Sequence, residues 1–173
     1  MMWRDRLLTR VLRCAAFGAL ASSALPLSAQ QGVFSVKLMT PETALVAARA
    51  PLDHCRKQGW QVAVAVVDRA GIVQVLLRDR FAGAHTVGVA TDKAWTAASF
   101  KIATGVLADE TQAGKPLSGL RGQPHVLAVG GGLTIESAGA LLGAIGVSGA
   151  PGPGADDACA QAGLRAVSDL IEF

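Results

Sequence analysis

Three histidines, His54, His85 and His125, are the residues of this 173-residue chain best equipped for chemistry. An imidazole acts as a base near neutral pH or gives a nitrogen to a metal or metal-bearing cofactor. His54 stands beside Cys55 near the end of a helical pattern, where a cationic ring suits the helix dipole, and reads as a helix-end surface residue. His125 follows Pro124 at the mouth of an expected strand and fits a loop or a pocket. His85 lies in Ala82-Gly83-Ala84-His85-Thr86, between an expected strand and the next helix, a junction where sheets often keep ligands. Arg78 and Arg80 are close enough in sequence to pair with carboxylates. The plainer reading of His85 is a residue that caps a helix.

Other signatures fail on spacing. Gly130-Gly131-Gly132 and the glycines of 143–149 lack both the lysine of a P-loop and the strand-turn-helix context of a dinucleotide fingerprint; tight turns and close helix-to-sheet approach explain them better. No two histidines stand three or four residues apart and there is no CxxC, which argues against structural zinc. Ser148 in Gly146-Val147-Ser148-Gly149 resembles a nucleophile elbow only until position 150, which is Ala. A serine hydrolase is disfavoured.

The elements that must position these residues follow from periodicity. Thr40-Pro41-Glu42 starts a helix, with Leu45, Ala48, Leu52 and Cys55 on one side, Pro51 expected to bend it, and Gly59 as its stop. Residues 61–68 alternate Val and Ala with both faces apolar, a central strand, and Asp68-Arg69-Ala70-Gly71 turns the chain back through 72–78. Residues 84–113 read as two helices, with breaks near Ser99 and Gly105. Val126–Val129, Leu133–Glu136 and Ala140–Val147 read as three strands parted by glycine-rich turns, and a last helix follows Asp156 or Asp157. The order α-β-β-α-α-β-β-β-α predicts an α+β three-layer sandwich: a five-stranded, mostly antiparallel sheet covered by helices on both faces.

Composition sets the class. With 51% hydrophobic and 17% charged residues the chain has ample core material for one domain. Aromatic content is 5% with no Tyr, a poor supply for a base-stacking platform. Arg4, Arg6, Arg10 and Arg13 precede an uncharged apolar stretch over 14–25, and small residues follow up to Ala29. This predicts a secretory signal peptide over 1–29, a linker over 30–39 and a domain over 40–173. The apolar stretch is too short for the ~20 residues of a membrane helix, and Cys14 directly after Arg13 spoils a lipoprotein reading. Loss of 1–29 removes four Arg and one Asp, so Lys+Arg falls from 16 to 12, Asp+Glu from 13 to 12, and net charge from +3 to zero. A neutral mature domain lacks the footprint for nucleic acid or an anionic membrane. The expected location is the periplasm or outside the cell, where Cys55 and Cys159 either join or remain as two buried thiols.

Several stretches together carry a resemblance. Ala65-Val66-Val67-Asp68-Arg69-Ala70-Gly71, Ala82-Gly83-Ala84-His85-Thr86, Lys93-Ala94-Trp95-Thr96-Ala97-Ala98-Ser99-Phe100, Gly130-Gly131-Gly132-Leu133, Gly143 through Gly149 and Asp156 through Gly163 are similar in order and type to the GlcG/HbpS-type haem-binding family. That family also includes the C-terminal domain of PduO-type proteins. The resemblance spans nearly all of 40–172 and implies an α/β sandwich, homo-oligomers, and binding of haem or iron. Members often carry an Asp within an Arg-Met-Asp-Gly-Ala run; Arg80-Phe81-Ala82-Gly83-Ala84 lacks it, so no role transfers from that Asp. Thr134 stands where many relatives have Pro.

A haem site needs an apolar slot, an axial donor and often cations for the propionates. The expected assembly is His85 as metal ligand, Phe100 and Trp95 as apolar wall, Arg80 or Lys93 near propionates, and Thr104 as an oxygen donor. Each has a plainer role: Lys93 on a solvated helix face, Phe100 and Trp95 in the core, Thr104 bonded to its own helix. The leading expectation is an exported, non-enzymatic haem-binding protein, or more loosely a tetrapyrrole- or iron-binding one, for sequestration or sensing. Its rivals are a small-molecule enzyme or accessory subunit acting on an organic acid, with His85 as base and Arg80 as clamp, and a structural oligomer without ligand.

Overall fold

The computed structural model describes residues 32–172 of the chain. Of its two units, Met1–Ser35 and Val36–Phe173, the second carries every helix and strand described. The expected leader over 1–29 lies outside the described residues.

Thr40 accepts a hydrogen bond from the Thr43 amide (3.2 Å) and Pro41 sits where its missing N–H costs nothing, so α1 runs Pro41–Lys57. Gly59, at φ +78°, turns the chain out of it. Strand β1 (Ala63–Asp68) then pairs antiparallel with β2 (Val73–Arg78) through a turn held by the Asp68 carboxylate, which accepts the amides of Ala70 (2.8 Å) and Ile72 (3.0 Å). Helix α2 spans His85–Phe100 and α3 Thr104–Glu110, two helices as the sequence implies. Strands β3 (Gly132–Ser137) and β4 (Ala140–Ser148) form a second hairpin, and α4 (Pro153–Val167) closes the chain. The sheet order is β2-β1-β4-β3, antiparallel throughout.

The expected sandwich is therefore present, with four strands rather than five. Val126–Val129 is not a strand. Its backbone is held elsewhere: the Leu127 amide donates to Thr96 Oγ1 (2.9 Å), Thr96 Oγ1 donates to the His125 carbonyl (3.0 Å), and Val129 bonds back to Leu127. The apolar run lies along α2 instead of extending the sheet.

The alternation in β1 builds both cores. Val62, Val64 and Val66 face α1 and α4, together with Ile145 and Val147; Ala63, Ala65 and Val67 face α2 and its Ala90, Ala94, Ala97 and Ala98. Burying each of these Val side chains contributes roughly 1.5–3 kcal/mol. Small residues bring α2 very close to the sheet: a Cβ on Gly146 would lie 2.0 Å from the Ala90 carbonyl oxygen. On the other face Cys55 and Cys159 form a disulfide, with Cα atoms 5.8 Å apart, that ties α1 to α4.

Candidate functional site

The junction between β2 and α2 is pinned at several points. Asp79, directly after β2, is buried and accepts two hydrogen bonds from Arg56 at the end of α1, from Nε at 2.8 Å and Nη2 at 2.5 Å. The second Asp79 oxygen is sealed from solvent without a partner. Beyond it, the Ala82 amide donates to the Asp79 carbonyl (3.1 Å), Arg78 Nη2 donates to the Ala82 carbonyl, and Thr86 donates to the Gly83 carbonyl from both its amide (3.0 Å) and its hydroxyl (2.7 Å). A loop held this firmly presents Phe81 and His85 at defined places.

Both residues border a cleft of about 490 Å³, with Trp60, Gly83, Ser148 and Asp156 among its other walls. The Arg56–Asp79 pair links its two sides, since Gly59–Gln61 follows α1 and Phe81–Thr86 precedes and opens α2. The His85 ring is exposed and makes no hydrogen bond to any described residue. It folds over Gly83, where a Cβ would lie 2.6 Å from His85 Cε1. The Phe81 side chain is 79% exposed, with the Arg80 guanidinium 5.9 Å from its ring centre. An unengaged imidazole beside an open hollow whose lining is mostly polar offers a nitrogen to a metal-bearing ligand, with the exposed Phe81 ring as apolar surface at its rim.

Lys93 is elsewhere. It is 2% exposed, and its Nζ donates to Asp156 Oδ2 (2.7 Å) and the Val147 carbonyl (3.0 Å). Asp156 Oδ1 accepts the Ala150 amide (3.0 Å) and Asp157 accepts the Gly131 amide (2.6 Å), so the start of α4 is knotted to β4 and the triple-glycine turn. Burial pushes the Asp156 carboxyl pKa above its ordinary value, opposed by the hydrogen bond from Lys93. Lys93 thus occupies neither a solvated face nor a propionate site: its ammonium already serves the fold through these two hydrogen bonds.

The other expected site residues separate along α2. Phe100 ends that helix, fifteen residues and roughly 22 Å of helical rise from His85. Trp95 stacks at a tilt with His125, ring centres 5.9 Å apart. The Thr104 hydroxyl, fully buried, accepts the Gly132 amide (2.9 Å) and donates to its carbonyl (3.3 Å), which fastens α3 to β3. Within one chain the cleft therefore gathers His85, with Arg80 adjoining through Phe81, but neither Phe100, Thr104 nor Lys93. Trp60, Phe81 and Ser148 were not singled out for it. Phe81 adjoins Arg80 in sequence, and the alternation of β4 places Ser148 on the α2 side, the two signals that could have found them.

His125 is engaged, with Nδ1 3.1 Å from Asp92 Oδ1. Among the described residues no three His, Cys, Asp or Glu gather as a metal cluster, and no helix is long and apolar enough to cross a membrane.

Fold and site define an α+β domain that offers a free imidazole to an open cleft. The chain belongs to the HbpS-like family, whose model, described as haem degrading protein HbpS-like, matches residues 39–165. A double mutant of Streptomyces reticuli HbpS is similar at 36% identity and TM-score 0.74, over 82% of this chain and 96% of that one. The structure of a PduOC:heme complex is similar at 31% identity and TM-score 0.72, over 75% and 95% of the two chains. The corrinoid adenosyltransferase PduO of Salmonella typhimurium is 36% identical over 103 residues, 58% of this chain; the match spans only 31% of that protein.

Proposed function

We propose that this chain is an exported haem-binding protein that holds its ligand through His85, for sequestration or sensing rather than turnover. The observation that carries the reading is the His85 imidazole, free of hydrogen bonds to described residues, at the rim of a cleft of about 490 Å³. Haem iron, if bound, would supply a Lewis-acidic centre to which the His85 imidazole would give its nitrogen. This chain's residues do the rest: Gly83 leaves room for the ring, Phe81 and Trp60 offer apolar surface, and the Arg56–Asp79 pair holds the two walls together. The family membership and the heme complex of the PduOC relative support the assignment.

Export is supported by the Arg-rich, then apolar, N-terminal sequence and by the Cys55–Cys159 bond, which suits an oxidising compartment such as the periplasm or the exterior. A homo-oligomer is supported by the apolar edge of the sheet, where Ile72, Val73 and Leu76 are exposed on or beside β2.

Haemin titrated into the mature domain is expected to give a saturable, red-shifted Soret band that His85→Ala weakens at least about tenfold. The family model's description favours a second reading, in which haem is degraded. A Soret band that persists with added reductant and oxygen supports holding; steady bleaching by wild type, absent in His85→Ala, supports degradation.

A further inference from the structure

The cleft has a floor unlike its rim. His85 and Phe81 stand exposed at the rim, while Ser148, Asp156 and Thr86 are buried. Ser148 is 5% exposed, yet its hydroxyl makes no hydrogen bond to any described residue. It is not among the polar side-chain atoms sealed from solvent, so it opens onto the cleft that it lines. Asp156 stands beside the same stretch of chain. Its carboxylate accepts the Ala150 amide (3.0 Å) and the Lys93 ammonium (2.7 Å), which also donates to the Val147 carbonyl (3.0 Å). Each Asp156 oxygen keeps a lone pair beyond those bonds. The Thr86 hydroxyl and amide both donate to the Gly83 carbonyl, which removes them as donors. Trp60 borders the cleft, half-buried, and its indole N–H makes no hydrogen bond to any described residue.

Charge narrows the choice of ligand. Among the described residues no Lys or Arg lines the cleft, so an anion finds no counter-charge there. Asp156 is already matched by Lys93, so a cation finds none either. What remains is neutral hydrogen bonding beside an aromatic side chain. A hydroxyl suits it, since it gives its proton to a carboxylate oxygen and accepts one from serine or indole. Several hydroxyls on one ring, with a C–H face to lie against Trp60, meet these groups together. We propose that the floor of the cleft binds a neutral monosaccharide, with Ser148 and Asp156 engaging its hydroxyls and Trp60 its C–H face. The volume of about 490 Å³ is within the range of small-molecule sites. The inference uses no iron and goes beyond the haem reading, which it neither needs nor excludes.

The test is calorimetric titration of the full chain with D-glucose and D-galactose, and with the charged counterparts D-glucosamine and D-glucuronate. The neutral sugars are expected to bind saturably and at least about threefold more tightly than either charged one. Ser148→Ala is expected to weaken them about tenfold with an unchanged melting temperature. In a Trp3→Phe/Trp95→Phe background Trp60 is the only indole, and its emission is expected to change along the same binding curve. The absence of saturable binding by both neutral sugars overturns the proposal, as does equal or tighter binding of a charged counterpart. A Ser148→Ala variant that binds as wild type does, or a Trp60 emission that stays constant while heat is released, overturns it too.

Discussion

Roughly two turns apart on α2, His85 and Lys93 have opposite fates. Lys93 is sealed between helix and sheet with its charge matched by Asp156, whereas His85 lies exposed without a hydrogen-bonded neighbour. The difference is set by what lies beneath each. Under Lys93, the start of α4 and the end of β4 bring a carboxylate and a carbonyl within reach; under His85 the chain leaves a hollow. A long cationic side chain is thus a poor marker of a ligand site when small residues let the backbone close around it, and a bare imidazole beside glycine is a better one.

Breaking the buried side of that contrast should have the largest effect. Lys93→Met leaves the Asp156 carboxylate without its counter-charge and is expected to cost about 3–5 kcal/mol in urea unfolding, with Lys93→Met/Asp156→Leu costing less than the single change. Next comes the covalent tie on the opposite face: replacing Cys55 and Cys159 by Ala should cost about 2–4 kcal/mol, read as an earlier unfolding midpoint, because it frees a long loop in the unfolded chain. Arg56→Gln should destabilise less than the Lys93 change, since Arg56 is half exposed and water screens it. It should still weaken haemin binding, by loosening the two cleft walls against each other. The smallest effect on stability falls at Gly83→Ala, whose Cβ would press on the imidazole; a melting point within a few degrees of wild type, with a severalfold loss of haemin affinity, would sharpen the division between fold and site.

Much of the architecture was legible from patterning alone. The two-sided apolar run of β1, the Asp68-Arg69-Ala70-Gly71 turn and the Thr40-Pro41 start are local signals, and each element is where the local physics puts it. That Val126–Val129 is not a fifth strand was not legible, because its apolar residues satisfy a strand pattern equally well when the Leu127 amide bonds to Thr96 on α2. In the site, His85 and its junction could be read from order along the chain. The Lys93–Asp156 pair could not, since 63 residues separate the partners and only the packing of α4 on β4 brings them together. For the same reason Phe100 and Thr104 seemed near His85 in sequence while the length of α2 holds them apart.

The most direct test is pulsed electron–nuclear resonance on the ferric haemin complex of the mature domain with its histidines labelled with nitrogen-15. Strong coupling of one labelled imidazole nitrogen to the iron, absent from His85→Ala and present in variants that replace His54 or His125, is the predicted result. Coupling that survives in His85→Ala, or none in the wild-type complex, would contradict the assignment.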